Sequence, residues 1–217
     1  MSGHGHYREA HPLIFVITHY VNLIAMIALA FTGFYIHYPF FAWSMQFARS
    51  IHFVFMFVLI INLTARIIAS FWVKDGLLLG SRDVDTDIKN WLPQEENKHQ
   101  FLETLKYYLF MRKEHVISGK YGSLQKIAYL ATIPITYLMA YTGFCLYTPA
   151  MNWGIWPFFQ GGIDMVGGVM AMRLVHYFGM WVVILFTMVH AYLANIHGIA
   201  PTKIMFAWVE TPAKEGH

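Results

Sequence analysis

Long apolar stretches determine what this chain can fold into. No Asp, Glu, Lys or Arg occurs between Glu9 and Arg49. A helix crosses a bilayer with about 20 mostly apolar residues, and it satisfies its backbone hydrogen bonds within that one segment. We therefore predict an all-α integral membrane protein, a four-transmembrane-helix bundle with spans at about 13–37, 49–73, 124–147 and 169–197.

The composition supports a membrane protein. Of the 217 residues, 57% are hydrophobic and 12% are charged, whereas soluble domains carry about 25% charged residues. The length suits one domain covering 1–217. The single Cys145 excludes an internal disulfide and a Cys-ligated cluster. The net charge of +3 is modest and gives no reason to expect a nucleic-acid partner.

The distribution of basic residues predicts the orientation of the chain. With four spans, both termini and the 74–123 connection lie on one side of the membrane. Of the 15 Lys and Arg residues, only Arg49 and Arg173 fall at the other side. Because cytoplasmic loops are enriched in Lys and Arg, we expect the N- and C-termini to be cytoplasmic. The N-terminus has no basic region or cleavage site before the first span and is predicted to be retained.

The two longer connections differ in character. The 74–123 connection is polar and includes a weakly amphipathic piece, Phe101 to Met111, predicted as a helix at the membrane surface. The outer loop, 148–167, carries Trp153, Trp156, Phe158 and Phe159. Such a cluster is typical either of an interfacial aromatic belt or of a docking surface for a partner outside.

The sequence contains an internal repeat. The segment Phe31–Pro39 resembles Tyr141–Pro149, and Arg49-x-x-His52 resembles Arg173-x-x-His176. Spans 1–2 and 3–4 are therefore predicted to be related hairpins. The repeat is imperfect where His19 aligns with Tyr129 and His190 aligns with Arg66, so the histidines are not a simple duplicate.

Four histidines inside the spans pair by depth. His176 and His190 lie on nearly the same helix face, about 21 Å apart along the axis. The predicted orientation puts His52 and His176 on the outer side, and His19 and His190 on the inner side. Imidazole pairs without thiolate or carboxylate partners favour haem b, so two stacked bis-histidine haem sites are predicted. Hydrogen-bonded packing histidines are the simpler alternative, but they do not explain the pairing.

The arginines and remaining histidines have more varied interpretations. Arg49 and Arg173 each precede an outer histidine by three residues, which suits a contact with an anionic haem propionate, and Arg66 has the corresponding place near the inner haem. His37 is expected to be interfacial, and His197 lies close enough to the inner site to touch a substrate. His4, His6 and His11 are expected in a solvated tail. Three glycines allow either close approach of a porphyrin or helix packing, namely Gly33, Gly143 and Gly179.

The fourth span resembles a known family. Its frame, Arg173-x-x-His176-x-x-x-x-Trp181-x-x-x-x-Phe186-x-x-x-His190, is similar to the b-type cytochrome subunits of membrane-bound nickel–iron hydrogenases, which are related to formate dehydrogenase gamma subunits. His19-Tyr20 followed by Leu29-x-x-Thr32-Gly33 matches more loosely. The family pattern differs at Val16, Tyr20 and Tyr177, but none of these removes a predicted ligand.

The resemblance implies a transmembrane electron path in a bacterial cytoplasmic (inner) membrane. The iron–sulfur small subunit of a periplasmic hydrogenase, paired with its large subunit, would pass electrons to the outer haem. The inner haem would then reduce a quinone, menaquinone or ubiquinone, near the cytoplasmic face. This chain would be an electron-transfer subunit with a quinone-reducing site and no hydrogenase chemistry of its own. Candidate quinone-site residues are His115, Tyr121, Gln125 and His197.

Other functions remain open at this level. The same module could serve a formate dehydrogenase or a thiosulfate-reductase-like complex. A His-lined metal transporter would be expected to show charged or broken helices at the midplane, whereas the middles of these spans are apolar. A haem-free membrane anchor would leave Arg49 and Arg173 unexplained.

Overall fold

The fold is mostly helical, as expected. The computed structural model describes residues 5, 7–76, 82–91, 102, 106–107, 111, 123–195 and 199–212. Within these residues the elements are α1 (Leu13–His37), α2 (Met45–Ala69), β1 (Lys74–Gly76), β2 (Val84–Thr86), α3 (Asp87–Trp91), α4 (Ser123–Cys145), α5 (Trp156–Met165), α6 (Val169–Asn195) and α7 (Ala200–Ala207). Short 3₁₀ turns occupy Arg8–Ala10 and Thr148–Asn152.

The four long helices lie where the apolar stretches predicted them. Helix α1 occupies 13–37, and it ends at His37 because Pro39 disfavours a helical conformation at Tyr38. Helix α2 begins at Met45 rather than near residue 49, so Arg49 lies in its first turns and not at its start.

Three of these helices, α1, α2 and α6, are long and apolar enough to cross a membrane, judged over the described ranges. The apolar part of α4 is the shorter segment Leu130–Cys145, and Pro134 lies inside the helix. A fourth span at α4 therefore stays a prediction. Large apolar side chains along the three candidate spans are exposed, as lipid-facing side chains must be, including Ile24, Ile61 and Leu185.

The chain divides into two compact units. One, here the terminal unit, comprises 1–20, 63–132 and 192–217, and the other, here the central unit, comprises 21–62 and 133–191. Each contains pieces of several helices, because the unit boundaries cut across the long helices.

The terminal unit is organised around a small antiparallel hairpin that the sequence did not predict. Strands β1 and β2 pair with Lys74 opposite Thr86 and Gly76 opposite Val84. The Lys89 ammonium donates to Asp85 Oδ2 at 2.7 Å, and this hydrogen bond lowers the pKa of the Asp85 carboxyl below its usual value. Of the predicted surface helix from Phe101 to Met111, the structure describes residues 102, 106–107 and 111, so the helix stays a prediction.

One buried ion pair anchors this hairpin to α2. The Asp87 carboxylate is fully buried, and its Oδ2 lies 2.7 Å from an Arg66 guanidinium nitrogen. The same guanidinium lies 3.5 Å from the centroid of the Phe15 ring. The Asp87 amide also donates to the Val73 carbonyl at 3.1 Å. The ion pair, the contact of the guanidinium with the Phe15 ring and the backbone hydrogen bond thus hold the start of α3 against the ends of α1 and α2 within this unit.

The central unit buries a small core between α4, α5 and α6. Its members are Cys145, Phe159, Ile163 and Met172. Helix α5 falls in the segment expected to be an irregular loop, and it buries Phe159 while Trp153 and Phe158 remain exposed. Gly167 and Gly168 have φ values of 93° and 112°, which side chains rarely tolerate, so this pair permits the sharp turn into α6.

Candidate haem site

Two histidine rings meet inside the central unit. His52 on α2 and His176 on α6 are both half-buried, and their ring centroids lie 6.3 Å apart with an interplanar angle of 69°. They are the two residues that the depth argument predicts as the outer pair. The structure therefore brings together the side chains that the sequence assigned to one site.

The separation of the two rings fits a metal held between them. Imidazole nitrogens bind such metals at about 2.0 Å, and a ring centre lies roughly 1.2 Å behind its nitrogen, so two opposed ligands place the centroids about 6.4 Å apart. The observed 6.3 Å matches this value. The donor set of two imidazoles is the one that b-type haem sites use, so these residues fit the group.

Each of these histidines is held at Nδ1 by a threonine hydroxyl. Thr32 Oγ1 lies 2.8 Å from His52 Nδ1, and Thr142 Oγ1 lies 2.8 Å from His176 Nδ1. The Thr32 hydroxyl donates to the Ala28 carbonyl at 2.6 Å, and the Thr142 hydroxyl donates to the Met139 carbonyl at 3.0 Å. A hydroxyl has one hydrogen, so each oxygen accepts from the Nδ1–H, which leaves Nε2 bare for a metal.

The glycine after each threonine lies against a histidine. A Cβ built on Gly33 would lie 3.6 Å from His52 Cε1 and 3.2 Å from Met180 Sδ. A Cβ on Gly143 would lie 3.4 Å from His176 Cε1 and 3.9 Å from the sulfur of Met56. Each methionine follows a histidine by four residues, so each glycine touches one histidine and the methionine of the other helix.

The aromatic contacts of one hairpin are also repeated at the equivalent positions of the other. His37 stacks on Tyr177 with centroids 4.0 Å apart, and the repeat-equivalent pair, Tyr147 and Phe53, lies 3.8 Å apart. Phe34 meets Trp181 at 5.3 Å, and the equivalent Phe144 meets Phe57 at 5.7 Å. The internal repeat therefore corresponds to an approximate two-fold arrangement of contacts within the central unit, with the His52–His176 pair between its halves. His37, expected to be interfacial, is an exposed member of this set.

Arg49 and Arg173, the two arginines predicted on the outer side against the positive-inside rule, are available to bind an anion. Arg49 and Arg173 are both exposed, three residues before His52 and His176, and neither forms an ion pair with another residue in the described ranges. An exposed guanidinium without an ion-pair partner can donate paired hydrogen bonds to a carboxylate. Contact with a propionate stays a prediction.

His19 and His190, the residues predicted for the inner site, lie in different units. His19 is half-buried on α1 in the terminal unit. His190 is half-buried on α6 in the central unit, parallel to the Phe186 ring with centroids 6.2 Å apart. The pairing of His19 with His190 stays a prediction. Arg66, predicted for the inner propionate, has Asp87 as its ion-pair partner in the structure.

The predicted quinone residues fall outside the described part of the chain, apart from the backbone of Gln125. His115, Tyr121 and His197 lie outside the described residues, and nothing is described of the Gln125 side chain within α4. The sequence analysis missed Thr32 and Thr142 as partners of His52 and His176. A sequence signal for these two threonines does exist, because both belong to the Thr-Gly dipeptide that is repeated in the two hairpins.

The fold and the paired imidazoles define a helical membrane protein of the b-type cytochrome class. The comparison with protein families agrees: residues 10–208 match the family model described as prokaryotic cytochrome b561. The chain belongs to that family. Cytochromes of the b type carry haem b, so haem b is the cofactor that the family implies.

Curated relatives resemble most of the chain. A probable Ni/Fe-hydrogenase B-type cytochrome subunit from Azotobacter chroococcum is 26% identical over an alignment of 195 residues that covers 81% of this chain and 75% of the relative. A protein of the same name from Cupriavidus necator is 26% identical over 190 residues, 81% of this chain and 74% of the relative. The resemblance to hydrogenase cytochrome subunits expected from the fourth span is thereby confirmed.

Proposed function

We propose that this chain is the b-type cytochrome subunit of a membrane-bound nickel–iron hydrogenase, and that it passes electrons through two bis-histidine haems to the quinone pool. The observation that carries the proposal is the His52–His176 pair, 6.3 Å apart, with each Nδ1 held by a threonine. Haem b would supply the one-electron couple at this site. The chain itself would hold the group through His52 and His176, orient it and shield it with apolar helices.

The names of the relatives support a hydrogenase partner. Both Azotobacter chroococcum and Cupriavidus necator relatives are named as Ni/Fe-hydrogenase cytochrome subunits. The proposed electron donor is the iron–sulfur small subunit, on the periplasmic side with the large subunit. The exposed side chains of Trp153, Ile155 and Phe158 form an apolar surface that suits its docking. If these side chains instead form an interfacial belt, replacing them with serine leaves the complex intact.

A four-span topology supplies the direction of the path. With both termini and the 74–123 connection cytoplasmic, the basic residues obey the positive-inside rule except for Arg49 and Arg173. Those two arginines then lie on the outer side beside His52 and His176, where we propose that they hold haem propionates. The chain would be a multi-pass protein of the bacterial cytoplasmic membrane.

The inner haem is proposed from depth. His190 follows His176 by fourteen residues on α6, which is about 21 Å along the helix axis. The predicted topology assigns His19 on α1 to the same inner side, and we propose these two as the axial ligands. Quinone reduction would take place beside this haem, with His115, Tyr121, Gln125 and His197 as candidates for binding or proton delivery. Protons would come from the cytoplasmic side.

Reduction of the haems by different donors tests the function. Membranes that contain the intact complex are exposed to H2 or to formate, and the reduced haem absorption bands are recorded. The proposal predicts reduction by H2 and reoxidation after addition of an oxidised quinone analogue. Reduction by formate without reduction by H2 would assign the chain to a formate dehydrogenase instead. Haems that reduce but are not reoxidised by the quinone analogue would refute the proposed acceptor.

A further inference from the structure

We propose that Thr32 and Thr142 are positioning residues that fix both axial histidines of the outer haem and lower its reduction potential. This inference rests on the proposed function, since it needs a haem between His52 and His176. It assigns to these two hydroxyls a role toward a bound group and not only toward their own helices.

The first step is the direction of the hydrogen bonds. Threonines in helices commonly donate to the carbonyl three or four residues earlier, and both hydroxyls do so here. Each oxygen then has only lone pairs to offer to the histidine 2.8 Å away. The Nδ1 atoms of His52 and His176 must therefore carry the hydrogen, and both rings are fixed as the tautomer whose Nε2 binds metal.

The second step is the equivalence of the two sides. Thr32 and Thr142 occupy the same position in the internal repeat, and so do His52 and His176. Both bonds connect different helices: α1 with α2, and α4 with α6. A hydroxyl that served only its own helix would not need to reach a ligand at the same distance in both hairpins. The repeated bond therefore points to a requirement of the bound group.

The third step is the effect on the metal. A hydrogen bond accepted from Nδ1–H raises the basicity of the imidazole, and a more basic ligand favours the oxidised iron. Two such bonds would act on the one haem held between His52 and His176. Loss of either hydroxyl should raise the potential of the outer haem and leave that of the inner haem unchanged.

The experiment uses Thr32→Val and Thr142→Val in the full chain, which remove each hydroxyl at similar shape, with Thr32→Ser and Thr142→Ser as matched controls that keep it. Redox titrations of both haems are followed by absorbance, and low-spin haem signals are followed by electron paramagnetic resonance. We expect each valine variant to raise the outer potential and change the outer haem signal, whereas each serine variant stays close to the parent. In the double valine variant, the rise in the outer potential should equal the sum of the rises in the two single variants.

Loss of the outer haem in the valine variants, with retention in the serine variants, would also support the positioning role. The role is refuted if the valine variants keep both haems at parental potentials, or if serine and valine variants lose the haem alike. Haem content of the parent separates this inference from the proposed function. A parent without haem refutes the proposed function itself. Two haems whose potentials do not respond to the valine changes refute only the positioning role of the threonines.

Discussion

Arg66 and Asp87 form a buried ion pair, 2.7 Å between nitrogen and oxygen, that joins α2 to the hairpin segment inside the terminal unit. The Asp87 side chain is fully buried, and that of Arg66 is 19% exposed. Breaking a buried pair at one partner is strongly destabilising, because the other charge remains without compensation.

We therefore predict that Arg66→Gln lowers stability by about 3–5 kcal/mol, measured as thermal unfolding of the purified protein in detergent. The double variant Arg66→Gln with Asp87→Asn should recover part of the loss, since it leaves no buried charge. Haem content separates the two roles of Arg66. If Arg66 also holds the inner propionate, Arg66→Gln lowers inner-haem content beyond the effect of Asp87→Asn. Equal stability of all three variants and the parent would contradict the ion pair.

Neighbouring glycines on α5 offer a matched test of packing. A Cβ on Gly162 would overlap the Tyr141 hydroxyl, which donates to the Phe158 carbonyl at 3.0 Å, whereas a Cβ on Gly161 meets nothing within 4 Å. Gly162→Ala should displace Tyr141 and cost about 1–3 kcal/mol. Gly161→Ala should be neutral or slightly stabilising, because alanine is the better helix former. Equal melting temperatures for the two variants would show that α5 does not pack as described.

The outer arginines should tune the outer haem by charge. Arg49 and Arg173 precede His52 and His176 by three residues. A positive charge near a haem favours the reduced iron, so Arg49→Gln and Arg173→Gln should each lower the outer potential, and more so at low ionic strength. Lys203→Gln, an exposed change outside the candidate spans, serves as control. A shift of the inner potential instead would place these arginines elsewhere.

Histidines at the two depths should act on different haems. Because His176 and His190 are assigned to different sites, His176→Ala should remove the outer haem and His190→Ala the inner one. The two haems are distinguished by their potentials and low-spin signals. Loss of the same haem from both variants would overturn the pairing by depth.

The sequence could predict the long helices and the proximity of His52 to His176, because both predictions depend on regular spacing. Apolar stretches mark α1, α2, α4 and α6, and the depth of each histidine within its predicted span paired His52 with His176. The Thr32 and Thr142 bonds were missed, since a helical threonine usually bonds only to its own backbone. The contact with histidine depends on how neighbouring helices face each other.

Elements outside the spans were harder to predict for a different reason. Strands β1 and β2 have three residues each, and they are held by pairing with each other and by the Arg66–Asp87 ion pair. No local sequence pattern predicts that ion pair. Helix α5 contains Pro157, Gly161 and Gly162, which are typical of loops. It forms because Phe159 and Ile163 bury against α4 and α6, so tertiary packing overrides local preference.

The most direct test of the central claim is the haem content of the His52→Ala/His176→Ala double variant beside the parent. A pyridine haemochrome assay on purified protein should give about two haems b per parent chain and about one per double variant, with each single variant also retaining about one. That result means that both histidines hold the same haem. A parent without haem, or a double variant that loses both haems while each single variant loses a different one, would contradict the account.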